Sequence, residues 1–245
     1  MKCRNYAHRG FSGKYPENTM LAFEKALEAG CEGIEMDVHL TKDGEVVIVH
    51  DEKIDRTSDQ KGLVKDMTYE ELCKADFSYK YKGQVPFQKI PTLREYFELV
   101  KDEEIVTNIE LKTGVFEYPG IEKKVYDLIK EYHLEEKVAI SSFNHYSVMR
   151  MKELDPSLYC GFLTESWIIK AGAYVRSCEV EALHPLFRML NEEVMKELKE
   201  NGCEINAWTV NTEEDVEKMI DIEVNGIISN YPDKVNRILK EHGLR

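Results

Sequence analysis

The chain has no run of 18 consecutive apolar residues, so no segment reads as a membrane-spanning helix. It is poor in positive charge. Against 46 aspartates and glutamates there are 33 lysines and arginines, a formal charge of −13, and a protein that grips nucleic acid needs the opposite balance. None of the six cysteines, Cys3, Cys31, Cys73, Cys160, Cys178 and Cys203, forms a C-x-x-C pair or stands at zinc-ligand spacing from a histidine. A chain of 245 residues buries a full core without staples, so reduced and mostly buried thiols are expected rather than three disulfides. Residues 1–8 lack the apolar stretch of a secretion signal, which leaves the cytoplasm as the expected location. No G-x-G-x-x-G follows the first strand-like run, which disfavours an open dinucleotide-binding sheet. Low-complexity tracts are missing too.

What is present is alternation. Short apolar runs at about 5–8, 33–38, 104–112, 137–142, 158–163, 180–184, 204–209 and 225–229 read as strands. Helix-like stretches lie between them. Residues 19–29 carry Leu21, Ala22, Ala26 and Leu27 on one stripe, with Asn18 and Gly30 as expected caps. Residues 192–200 carry Met195 and Leu198 and stop near Gly202, and Pro232 opens a last helix. Eight strands each followed by a helix predict a (β/α)₈ TIM barrel, with a doubly wound sheet as the alternative. The whole of residues 1–245 reads as one such domain.

One connection breaks the rhythm. Asp43-Gly44 between apolar flanks signals a hairpin after the second strand. About forty residues then precede a helix near Thr92, far more than a βα loop usually takes. Tyr69, Phe77, Tyr79, Tyr81 and Phe87 make this insertion, about 51–90, a small folded cap. In a barrel it would overhang the C-terminal face, where active sites form.

The strand ends on that face are polar. Side chains two apart on a strand share a face, so Glu35 with Asp37, and Glu110 with Lys112, project together. Carboxylate oxygens suit a hard divalent cation, and a lysine beside them suits an anionic substrate oxygen. The bland alternative is a surface ion-pair ladder, but apolar Ile34, Met36 and Val38 put one face of that strand in a core. His8 and His50 also fall at strand ends. Either alone would pass as a hydrogen-bonded structural histidine; together they make a general acid and base pair near neutral pH. Arg9 and Lys112 fit phosphate binding and also fit as counter-ions. Ser141, Ser142, His184 and Trp208 fall at further strand ends, with Trp208 readable either as core or as a substrate platform.

Ordered along the chain stand Ala7-His8-Arg9-Gly10, Pro16-Glu17-Asn18-Thr19, Glu35-Met36-Asp37-Val38, Thr41-Lys42-Asp43-Gly44, Val49-His50-Asp51, Asp55-Arg56-Thr57, Ile90-Pro91-Thr92-Leu93, Ile109-Glu110-Leu111-Lys112, Ser142-Phe143 and Trp208-Thr209-Val210-Asn211. Together they make the sequence resemble the glycerophosphodiester phosphodiesterase family over about residues 5–232. The resemblance implies a barrel with a small cap and hydrolysis of glycerophosphodiesters to an alcohol and sn-glycerol 3-phosphate. It implies Glu35, Asp37 and Glu110 as ligands of one divalent ion, Ca²⁺ or Mg²⁺, and His8 and His50 as the acid–base pair. It implies Arg9, Glu17 and Lys112 around phosphate and metal, and Trp208 is added as a substrate contact. The expected partner is thus a small glycerophosphodiester, with a homo-oligomer left open.

The chain departs from the family at Ser229-Asn230-Tyr231-Pro232, where Thr-Asp is usual. The expectation is that this loss leaves the metal ligands and histidines untouched. Two rivals are a barrel of the sphingomyelinase D type acting on whole lipids, and a barrel that binds glycerol phosphates without turnover.

Overall fold

The computed structural model describes residues 3–81 and 83–245; Met1 and Lys2 of the N-terminal segment, and Lys82 within the predicted cap, lie outside the described residues. Eight parallel strands form the barrel: β1 (Arg4–His8), β2 (Gly33–Leu40), β4 (Val106–Leu111), β5 (Val138–Ser142), β6 (Tyr159–Thr164), β7 (Ala182–Pro185), β8 (Glu204–Ala207) and β9 (Gly226–Ser229). They hydrogen-bond in sequence order, and β1 pairs with both β2 and β9, which closes the ring. The predicted barrel is borne out, with strand ends shifted by one or two residues. The principal helices between strands are α1 (Met20–Glu28), α3 (Leu93–Val100), α4 (Ile121–Glu131), α5 (His145–Leu154), α6 (Ala171–Ser177), α7 (Glu192–Glu200), α8 (Glu213–Asp221) and α9 (Pro232–Glu241). No helix among the described residues is long and apolar enough to cross a membrane.

One cap differs from expectation. Thr19, not Asn18, caps α1, accepting a hydrogen bond from the Ala22 N–H. Asn18 is instead turned by a φ of +54° so that its amide points at the strand ends. The buried stripe of α1 is Ala22, Phe23 and Ala26, with Leu21 and Leu27 half-buried at its edges. Thr92 and Glu95 form a reciprocal capping box at the start of α3.

The hairpin at Asp43-Gly44 is present. Its second strand, β3 (Val46–Ile48), runs antiparallel to β2. Alternation along this segment divides it between two cores: Val46 and Ile48 join the barrel core, while Val47 and Val49 join a second cluster with Ile54, Val64, Leu72, Ala75, Phe77 and Ile90. That second cluster is the interior of the predicted cap. Short 3₁₀ turns at Ile54–Arg56, Val64–Asp66 and Tyr79–Tyr81 and a one-turn helix, α2 (Tyr69–Leu72), carry it.

Glycine at 33 has a steric cause. The Tyr6 ring lies inside the barrel beside it, and a Cβ built on Gly33 would stand 2.1 Å from that ring. Gly33→Ala is therefore expected to destabilise the barrel by about 1–3 kcal/mol, the usual cost of overpacking. Denaturant titration checks this, and a wild-type midpoint would show that the ring gives way freely.

Candidate active site

The strand register brings the acids together. In the β2–β4 pairing Asp37 lies opposite Glu110, and Glu35 sits two residues earlier on the same face. One carboxylate oxygen from each of Glu35, Asp37 and Glu110 lies within 4.8 Å of the others, and all three side chains are buried. Buried like charges need compensation. The Arg9 backbone N–H donates to Glu35 Oε2 at 3.0 Å, which its left-handed φ of +55° allows. Asn18 Nδ2 donates to Asp37 Oδ2 at 2.9 Å, and Arg9 Nε stands 3.5 Å from the same oxygen. Lys112 Nζ donates to Glu110 Oε1 at 2.9 Å and lies 3.6 Å from Asp37 Oδ1.

The compensation is uneven. Burial first, then the charges of Asp37 and Glu110, push Glu35 well above the ordinary carboxylate range. Burial also raises Glu110, to about 6, against the pull of Lys112. Asp37 goes the other way: burial would raise it, but Lys112 and then Arg9 hold it below the usual range. Its Oδ1 is buried without a hydrogen-bond partner. Three hard oxygen donors, one of them unclaimed, fit a divalent cation of the calcium or magnesium kind.

Both histidines reach this cluster. His8 Nδ1 donates to Asn230 Oδ1 at 2.6 Å, so in the neutral ring Nε2 carries the lone pair, 3.9 Å from Glu35 Oε2. Burial, then the Arg9 charge, lowers His8 to about 3. His50 Nδ1 donates to Asp51 Oδ1 at 2.6 Å, leaving Nε2 3.3 Å from Lys112 Nζ and 4.0 Å from Asp37 Oδ1. Asp51 is held in turn by Arg56, whose guanidinium also grips the Glu17 carboxylate at 2.7 and 2.8 Å. Glu17 thus lies between Arg56 and Arg9, which donates to it at 2.9 Å.

The cavity over these groups is lined by His8, Arg9, Glu35, His50, Asn108, Glu110, Ser141, Phe143, Leu163, Trp208 and Ile228. Trp208 stands edge-on to Phe143 with ring centres 5.5 Å apart, and its indole N–H donates to the His184 carbonyl. The ring is therefore a wall of the cavity. His184 does not line it: the imidazole is buried in the barrel interior 3.0 Å from Asn206 Nδ2, and burial lowers it to about 4. Ser142 Oγ donates to the Leu111 carbonyl and serves the backbone.

Four contributors were missed in the sequence: Asn18, Asp51, Arg56 and Asn230. The first three stand inside the quoted motifs, beside or near residues that were assigned, and only the hydrogen bonds reveal them. Asn230 corrects an expectation outright. Its amide oxygen binds His8 and also accepts from Ser12 Oγ at 3.1 Å, so the departure from the usual acid does touch a histidine.

Residues 8–234 match the family profile described as the glycerophosphoryl diester phosphodiesterase family. The chain belongs to that family, and membership makes it a phosphodiesterase. A glycerophosphodiester phosphodiesterase of Caldanaerobacter subterraneus subsp. tengcongensis is 43% identical over 99% of this chain and 100% of its own length. One from Bacillus altitudinis is 41% identical over 96% of this chain and 98% of its own. Among solved structures, an Oleispira antarctica phosphodiesterase in complex with the product sn-glycerol 3-phosphate superposes with a TM-score of 0.85, at 27% identity over 98% of this chain and 97% of that one.

The carboxyl shifts have a consequence for cation binding. A cation on the triad must displace the proton that Glu110 retains below about 6, and Glu35 is raised in the same sense. Cation affinity is thus expected to be weaker at pH 5 than at pH 7, by about tenfold per proton displaced. Calorimetric titration at both values, with proton release followed in two buffers, checks it. A dissociation constant independent of pH over that range would contradict the assignment.

Proposed function

We propose that the protein hydrolyses glycerophosphodiesters to an alcohol and sn-glycerol 3-phosphate, with one divalent ion, Ca²⁺ or Mg²⁺, on Glu35, Asp37 and Glu110. The observation that carries this reading is the convergence of three buried carboxylates with two histidines whose Nε2 atoms lie 3.9 and 4.0 Å from them. Family membership across residues 8–234 supports it. The Oleispira antarctica neighbour, which holds sn-glycerol 3-phosphate, supports the product side.

A bound divalent cation supplies positive charge against the phosphodiester anion. The chain's own cations add to it. Lys112 and Arg9 lie beside the triad, where they meet the non-bridging oxygens on which charge grows. The histidines differ in what stands behind them. His8 is backed by the neutral amide of Asn230, which holds the proton on Nδ1 and leaves the Nε2 lone pair facing the cluster, as a proton acceptor requires. His50 is backed by the Asp51 carboxylate, which fixes the ring through Nδ1 and turns Nε2 towards the cluster, a placement that suits the proton donor. In the step, His8 Nε2 takes the proton of the attacking hydroxyl and a new P–O bond forms. The P–O bond to the alcohol breaks, and His50 returns a proton to the leaving oxygen. Where the attacker is the substrate's own 2-hydroxyl, the product is a cyclic phosphate, which water then opens with the two roles exchanged.

Glycerol 3-phosphate release from glycerophosphocholine tests the reading. Chelator-stripped protein is expected to be inactive and to recover with calcium or magnesium, and no release with either ion would refute it for this diester. His8→Ala and His50→Ala should each lower turnover on the order of 10²-fold or more. With a p-nitrophenyl diester, whose leaving group needs no proton, His50→Ala should regain much of its loss while His8→Ala should not. Recovery of His8→Ala alone would reverse the assignment of roles, and equal recovery of both would dissolve it.

A further inference from the structure

The residue two places beyond Asp37 on the same strand face is a third histidine with no part in the chemistry above. His39 is fully buried near the end of β2 and reaches two groups. Its Nε2 lies 3.2 Å from the backbone carbonyl of His50, and its Nδ1 lies 2.9 Å from the Tyr118 hydroxyl. A carbonyl only accepts, so Nε2 carries the proton and donates. In the neutral ring Nδ1 then accepts from the Tyr118 hydroxyl. Every polar atom of the imidazole is engaged, and its orientation is set from both sides.

Tyr118 is itself fixed. It sits at a φ of +48° between β4 and α4, and its carbonyl accepts the first N–H of α4, from Ile121, at 3.0 Å. Its ring packs edge-on against His39 at 5.4 Å, and Phe116 packs edge-on against Tyr118 at 6.1 Å. Lys65, from the cap, lies 5.0 Å above the Phe116 ring. His50, by contrast, stands beyond the end of β3, in a segment without regular structure that leads into the cap. The Val49 N–H is tied to the Asp37 carbonyl at 3.0 Å, and the His39 bond falls on the very next residue.

We propose that His39 is a positioning residue for His50: it locks the main chain at that residue to the rigid end of β2, with Tyr118 locking His39. The inference rests on the reading of His50 as part of the acid–base pair. A displacement of about 1 Å at a reacting group costs on the order of 10²-fold in rate, and one rotatable peptide separates a held His50 from a loose one. The bond reaches the backbone of His50 and leaves its imidazole free for Asp51, Lys112 and the substrate.

The test compares His39→Gln, which keeps an amide donor and an acceptor near the same places, with His39→Met, which fills similar volume and keeps neither. For His39→Met, kcat on glycerophosphocholine should fall by about 10- to 100-fold, with KM and cation affinity within about twofold of wild type. His39→Gln should recover most of that loss. In ¹⁵N-histidine NMR spectra, the His50 ring signals should move in His39→Met and return in His39→Gln, a readout that needs no turnover. Tyr118→Phe, which removes one hydroxyl and should fold normally, should lower kcat several-fold in the same pattern.

Wild-type kcat and unmoved His50 signals in His39→Met and Tyr118→Phe would overturn the proposal. So would equal losses in the Gln and Met variants, or a loss of cation affinity in step with kcat, since His39 would then act through Asp37 on its own strand. His50→Ala separates the two levels. An inactive His50→Ala beside normal His39 variants sinks the positioning role alone, whereas an active His50→Ala removes the reading on which it rests.

Discussion

Negative charge held out of water is the constraint around which this site is arranged. Three carboxylates share one corner of the barrel mouth, and each such group costs several kcal/mol to desolvate unless opposed. The opposition comes from three directions. Lys112 arrives from β4's own C-terminal end, Arg9 from the turn after β1 and Asn18 from the loop before α1. Two of these residues adopt left-handed backbone angles, +55° at Arg9 and +54° at Asn18, a conformation that costs on the order of 1–3 kcal/mol in a non-glycine residue. The strain is coherent with the electrostatics, because it is what turns the Arg9 N–H and the Asn18 amide onto the acids. Even so, Glu35 and Glu110 remain hard to ionise. Local cations hold Asp37 ionised but leave its Oδ1 without a hydrogen bond, and they oppose its neighbours only in part, a balance that fits residues meant for a divalent ion.

The same charges separate the two histidines. His8 is enclosed, next to Arg9, and its far nitrogen meets an amide. His50 is about a third exposed, and its far nitrogen meets a carboxylate that Arg56 holds in place. Two identical side chains thus differ in what stands behind them, an amide for His8 and a carboxylate for His50, and that difference assigns them different parts in the proton transfer. Asn230 matters in this respect. An aspartate there would give His8 the same kind of support that His50 draws from Asp51, and the contrast between the two rings would shrink.

Much of this was legible in the sequence for a plain reason: period-two alternation puts Glu35 beside Asp37 and Glu110 beside Lys112, whatever the rest of the chain does. The barrel followed from the βα rhythm, and the cap from a connection too long for a βα loop. The supporting residues were harder to read. Asn18 looked like a helix cap because asparagine commonly is one, yet Thr19 takes that position and releases Asn18 to the site. His184 looked like a strand-end site residue, but its side chain points into the barrel interior, where Gly161 leaves room for its ring. Asn230 was expected to leave the histidines untouched; it lies 222 positions from His8, and ring closure between β1 and β9 brings the two into contact. Arg56 lies in the cap, whose internal packing no period in the sequence announces.

The cap is tied to the barrel beside the site through a shared strand. β3 contributes Val46 and Ile48 to the barrel core and Val47 to the cap core, so three consecutive residues are shared by both. Sliding the cap would pull that strand from β2 and strip apolar side chains from two interiors at once, at roughly 25 cal/mol for each Å² exposed. His50 and Asp51 follow this strand directly, and Arg56, one short turn later, reaches back to Asp51 and across to Glu17 on the barrel. Hydrophobic packing beneath His50 and charge above it thereby act together with the His39 bond to its carbonyl. Both depend on the hairpin at Asp43-Gly44, which turns the chain back along β2 and so delivers a histidine from the insertion to the edge of the carboxylate cluster.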